Sequence, residues 1–173
     1  MSVNNDYTLD PKIIDAISVA EGADSRFKIG ALIEITSVTL TVNTVVPLPL
    51  EPSNLVYLYW KHGLTLDAGK THWRVPVACR YASILQLDVT PHVTVDAFFN
   101  VQITSPQAGA TYNFYVPSGS AHQHFSVAAP IDEYDPATDT VGIGVEIAAH
   151  GAELVLFDCY FSVQYVGQAT GLT

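Results

Sequence analysis

Apolar and polar residues alternate over most of this chain, most clearly in Ala152–Val166 (AELVLFDCYFSVQYV). Val155, Phe157, Cys159, Phe161, Val163 and Tyr165 fall on one face without a break. Leu154, Leu156, Asp158, Tyr160, Ser162 and Gln164 fall on the other. A period of two marks a strand with one buried side. At ~3.3 Å per residue the stretch would reach roughly 45 Å, beyond a common strand, so it is either bent by a bulge or shared between two sheets.

The same period recurs upstream. Phe27, Ile29, Ala31 and Ile33 alternate with Arg26, Lys28, Gly30 and Leu32, and Val38, Leu40 and Val42 alternate with Thr39 and Thr41. Pro47, Pro49 and Pro52 exclude a central strand, so Val45–Pro52 reads as an extended connection or an edge. Leu55–Lys61 (LVYLYWK) is apolar on both faces, as in a strand covered by core on one side and by a partner on the other. Ala82–Val89 follows, with Ile84, Leu87 and Val89 apolar. In Val93–Ile103 the alternation slips at Phe98–Phe99, where a bulge would restore the register. Val141, Ile143, Val145 and Ile147 alternate with Gly142, Gly144 and Glu146, and a glycine-bearing face admits close approach of another backbone.

The helical period occurs once, near the start. Asp10 suits an N-cap, Pro11 the first helical position and Gly22 the stop, with Ile13, Ile14, Ile17 and Ala20 on one side. So short a helix needs something to pack on. It either covers an open end of the sheets or docks on a neighbouring subunit. Residues 1–22 thus read as an N-terminal arm and short helix, 23–167 as the main domain, and 168–173 as a tail. The main domain holds about eight to ten strands, with turn signals every eight to twelve residues or so and no strand–helix–strand rhythm. The fold class is all-β, a jelly-roll-like sandwich of antiparallel strands.

Composition narrows the possible partners. Apolar residues make up 49% of the chain and charged residues 14%, and the net charge is −10. No Lys or Arg follows Arg80. Such a chain repels phosphate backbones and anionic lipid surfaces, so neither nucleic acid nor a membrane is an expected partner. The opening MSVNNDYTLD has no basic segment followed by an apolar run, so no signal peptide is expected. Cys79 and Cys159 make no disulfide framework, and whether they pair is open.

Few residues invite chemistry. His122 and His124 share one face of a short strand and could ligate a metal, with His150 completing the site. The cupins resemble this most, but their motif adds a glutamate a few residues on and a distant third histidine; here the next acid is Asp132. The other reading is two polar residues on an exposed strand. Asp132, Glu133, Asp135 and Asp139 could hold calcium, but lack the EF-hand order, and a solvated acidic loop is the favoured reading. G-x-S-x-G, P-loop and dinucleotide glycine motifs are absent, so no enzyme and no cofactor is expected.

Thr/Val-rich strands, small-residue loops, low charge and a last long strand ending Tyr165-Val166-Gly167 resemble the jelly-roll structural proteins of tailed-bacteriophage virions. That resemblance, to capsid cement, decoration and fibre-head proteins, spans residues 23–167. It implies a non-enzymatic virion component, located in the particle, that forms a homo-oligomer, usually a trimer, and binds a major capsid or other virion protein. Under it, Tyr7, Ile13, Ile14 and Ile17 would serve as arm and helix contacts, and Tyr57, Tyr59, Trp60 and Trp73 as partner-binding aromatics. The second reading is a carbohydrate-binding, lectin-like module that meets a host glycan through outward aromatics. The third is a cupin-like metal-binding protein.

Overall fold

A computed structural model describes residues 30–35, 37–51, 55–107 and 109–169, without the side chains of 55–62. The expected arm and helix, with Tyr7, Ile13, Ile14 and Ile17, lie outside the described residues. The rest is antiparallel β-structure in two sheets. The strands are β1 (Gly30–Ile35), β2 (Val38–Leu40), β3 (Val45–Pro47), β4 (Leu55–His62), β5 (Thr65–Leu66), β6 (His72–Arg74) and β7 (Cys79–Thr90). They continue with β8 (Ala97–Thr104), β9 (Ala110–Val116), β10 (Gln123–Ala128), β11 (Asp132–Tyr134), β12 (Ile143–His150) and β13 (Leu154–Gln168).

The first sheet runs β10-β7-β13-β1-β4, with β11 continuing β10 along β7 and β2 continuing β1 along β13. The second runs β5-β6-β12-β8-β9, with β3 beside β6 on the same edge of β12. Counting each broken strand once, four long positions face four, with β4 and β5 added at the edges. That is the jelly-roll arrangement expected from the sequence. The proline-bearing segment forms edge strand β3, and just beyond it the Leu48 N–H still bonds Val145 O of β12 at 2.9 Å; an edge is where missing amide donors are tolerated.

The core lies between the sheets. Ile33, Leu85, Leu87, Leu156, Phe161 and Val163 of the first sheet meet Trp73, Phe99, Val101, Ile103, Val145 and Ile147 of the second, all at most 1% exposed. Trp73 and Phe161 stack across the gap at 5.3 Å and 8°. Near the β9–β10 side, Phe99, Phe114 and Phe125 form a ring cluster at 4.7–5.0 Å.

The long strand is bent by a bulge, so its apolar face is not continuous. Phe157 pairs with Asp88 and Tyr160 with Gln86, so two residues of β13 oppose Leu87 alone. Asp158 supplies the turn with φ 48°, a left-handed conformation that Asp accepts better than most residues. The extra residue exchanges the faces. Leu154 and Leu156 are buried before it, and Cys159, Phe161 and Val163 after it, while Val155 is 36% exposed. The break between β1 and β2 falls opposite the same point, since Ile35 pairs with Cys159 and Val38 with Leu156.

One other expectation is corrected. No bulge interrupts β8 at Phe98–Phe99: the alternation holds from Ala97 to Thr104, and Phe98 simply faces out, 53% exposed. In β7 the inward residues are Ser83, Leu85, Leu87 and Val89, which leaves Ile84 41% exposed. The glycine-bearing face of β12 behaves as expected. A Cβ on Gly144 would lie 2.6 Å from both Thr71 O and His72 Cδ2, so only glycine lets that segment cross so closely.

Candidate functional site

With the core filled, what remains are the two outward faces, and they differ. On the first sheet, strand register aligns residues into rows that cross the sheet. One runs Ala128–Ile84–Ser162–Leu32 and continues to position 60 of β4. Its neighbours run Ala82–Gln164–Gly30 and Ser126–Gln86–Tyr160–Glu34. Glu34, 8% exposed, is the only charged residue in these rows. Charge returns at the two ends, where Arg80 lies 3.9 Å from Glu133 and His124 lies 2.7 Å from Asp88.

The second sheet presents polar rows. Pro47–Glu146–Gln102–Thr111 is one, and Val45–Ala148–Asn100–Asn113 the next. The third is His150–Phe98–Tyr115. Ala148, the smallest side chain among them, leaves a groove of 190 Å³ between β3 and β8. The β2–β3 turn closes one end. There Asn43 adopts φ 57°, a conformation Asn tolerates, and its N–H bonds Ala149 O at 2.8 Å. His150 Nδ1 meets Asn43 Oδ1 at 2.8 Å and His150 Nε2 meets Asn100 Nδ2 at 3.4 Å. Both ring nitrogens of His150 are thus engaged by asparagine side chains, one from the β2–β3 turn and one from β8. One row on, Phe98 and Tyr115 form an exposed ring pair at 5.0 Å, 53% and 49% accessible. The Tyr115 hydroxyl donates to Asp96 Oδ2 at 2.5 Å. That bond raises the pKa of Tyr115, while the Ser118 amide, then Tyr115, lower that of Asp96.

The sequence-predicted sites fall as follows. Trp73 is a core residue, 1% exposed, with no surface for a partner. Tyr57, Tyr59 and Trp60 are on edge strand β4, and their side chains lie outside the described residues. His122 and His124 do not converge on a third ligand. His122 sits edge-on to Phe157 at 4.8 Å, and His124 pairs with Asp88. Among the described residues no three His, Cys, Asp or Glu side chains come together to hold a metal.

The acidic loop is not simply solvated. Asp132 is buried, and it accepts from the Tyr81 hydroxyl at 3.2 Å and the Gln107 amide at 3.3 Å. Burial above all, then the Asp132 charge, keeps Tyr81 protonated far above its usual range. Asp135 and Asp139 bond their own turn, through Ala137 N at 2.9 Å and Asp135 N at 2.7 Å. Cys79 and Cys159 are both buried, and neither is in a disulfide. Cys79 pairs with Gln168 while Cys159 lies opposite Leu87, which separates them by roughly 25 Å along the strands and rules out a disulfide.

No family model and no curated protein matches the sequence. Solved structures match in shape. PRD1 vertex protein P5 is 10% identical, with a TM-score of 0.52 over 82% of this chain and 99% of that one. The Eiger TNF from S. frugiperda is 12% identical, with a TM-score of 0.49 over 84% and 96%. The likeness to PRD1 vertex protein P5 is one of fold alone. This chain is a jelly roll. Sequence reasoning found that fold but did not place the groove, because the groove joins a turn at Asn43 to a strand end at His150. Asn in a turn between two strands was the one local signal.

Proposed function

We propose that this chain is a non-enzymatic structural protein of a virion, acting as a homo-oligomer, most simply a trimer, through the outward face of the first sheet. The observation that carries the assembly reading is the cross-strand row at Ile84, Ser162 and Leu32, which holds no charge and is flanked by rows whose one charged residue is the 8%-exposed Glu34. Depletion of charge at the centre of a patch, with charge confined to its rim, distinguishes the core of a protein interface from ordinary surface. The size also suits. Five strands at ~4.8 Å spacing and a twelve-residue β7 make a face of roughly 20 Å by 40 Å, near the ~800 Å² per partner of a stable interface.

The virion part of the reading is supported by the shape likeness to PRD1 vertex protein P5 and by the sequence resemblance to phage jelly-roll proteins. In such a particle the work is mechanical. Each copy buries area against its neighbours, and a major capsid or other virion protein takes the remaining contact.

Light scattering coupled to size exclusion at micromolar concentration tests the assembly. The expected mass is about three times the 18.7 kDa of one chain. Ile84→Glu places a charge in that row and should yield a monomer with an unchanged circular dichroism spectrum. A monomeric parent, or an oligomer indifferent to Ile84→Glu, overturns the reading. Antibody labelling of intact particles tests the location, and unlabelled particles would refute it.

A further inference from the structure

We infer that the groove on the outward face of the second sheet is a binding site for a neutral saccharide. It lies on the opposite side of the sandwich from the assembly face and does not depend on that reading.

Three observations converge. First, the groove presents planar polar groups of both kinds within a small area. The His150 bonds engage Asn43 through its amide oxygen and Asn100 through its amide nitrogen. Asn43 and Asn100 both line the groove, so the amide N–H₂ of the one and the amide C=O of the other are not used by His150, and Gln102 and Glu146 stand in the adjacent row. A vicinal diol needs just such a mixture, because each hydroxyl donates once and accepts as well. The His150 bonds also fix both asparagines, so little side-chain freedom is lost on binding.

Second, Phe98 and Tyr115 stand one row beyond as an exposed aromatic platform. The face of an aromatic ring is electronegative, and the C–H-lined face of a pyranose is its complement. Asp96 ties the Tyr115 hydroxyl and so orients that ring. Third, charge selects the ligand. Glu146 lines the groove, and no Lys or Arg is among its described lining residues, so anionic sugars are repelled. At 190 Å³ the groove is smaller than the ~300–1,000 Å³ of pockets for drug-sized ligands and suits one or two sugar rings.

Saturation-transfer NMR on the full chain tests this, with methyl β-galactoside, methyl α-mannoside, N-acetylglucosamine and 3′-sialyllactose as probes. At least one neutral sugar should show transfer, with a Kd of about 1–10 mM, as expected of few contacts. Phe98→Ala and Gln102→Ala should each weaken binding about tenfold or more while melting within a few degrees of the parent. Ile84→Glu should bind as the parent does, which separates this site from the assembly face. Lack of transfer to all three neutral sugars, undiminished binding in both groove variants, or preference for the sialylated probe would overturn the proposal.

Discussion

The bulge at Asp158 makes a prediction that strict alternation contradicts. In an unbroken strand Val155 and Phe161 share the buried face, and Leu156 points out. With the bulge, Leu156 and Phe161 are both fully buried at 0% exposure while Val155 is 36% exposed. Leu156→Ala should therefore cost about 2–5 kcal/mol and Phe161→Ala about 3–5 kcal/mol, as buried truncations do. Phe161→Ala belongs at the upper end, because it also removes the 5.3 Å stack on Trp73. Val155→Ala should stay within about 0.5 kcal/mol. Each kcal/mol shifts the melting temperature of a chain this size by about 2–4 °C, so the first two variants should melt roughly 4–20 °C lower. Urea unfolding at one fixed protein concentration measures all three, since association would otherwise make the midpoint drift. A Val155→Ala cost equal to that of Leu156→Ala, or a Leu156→Ala cost below about 1 kcal/mol, would refute the exchange of faces.

Other consequences follow from local geometry. Gly144→Ala should destabilise by about 1–3 kcal/mol, because the new methyl would meet Thr71 O at 2.6 Å, whereas Gly167→Ala, with nothing within 4 Å, should be neutral in the same unfolding assay. Burial alone would raise the Asp67 carboxyl, but the His72 and Thr71 amides and the His72 imidazole outweigh it and hold it below its usual value. Its folded value is thus depressed, so its contribution is present above the unfolded value near pH ~4 and is lost as pH falls through the folded one. Asp67→Asn should flatten the loss of urea midpoint as the pH falls below about 4, and an unchanged slope would count against it. Burial first, then the charges of Asp158 and Asp88, push the Cys159 thiol up to about 12. The native chain should therefore leave Ellman's reagent unreacted at Cys159 near pH 8, and should react fully once unfolded.

The sandwich was readable because alternation survives every loop, and the prolines of Val45–Pro52 set an edge by simple loss of amide donors. The bulge was foreseen only as one of two ways to accommodate an overlong strand. Its position was hidden because both faces of the strand are apolar there, so the pattern reads the same before and after the slip; Asp158, which tolerates a left-handed turn, was the one local hint. Phe98–Phe99 misled in the opposite sense. Two adjacent rings look like a slip, but each face of β8 simply takes one. Trp73 was read as a partner contact because aromatic content alone does not distinguish a core ring from a surface one. His150 and Asn43 lie far apart in the chain, and only the pairing of the β2–β3 turn with β12 brings them together.

Two unlike surfaces mounted back to back have a geometric corollary. Whatever hides one must display the other, so copies clustered through the uncharged row would hold their grooves outward at fixed spacing. Sites too weak to matter singly then act at the effective concentration set by that rigid spacing, and avidity can exceed single-site affinity by about 10²–10⁴ without one additional contact.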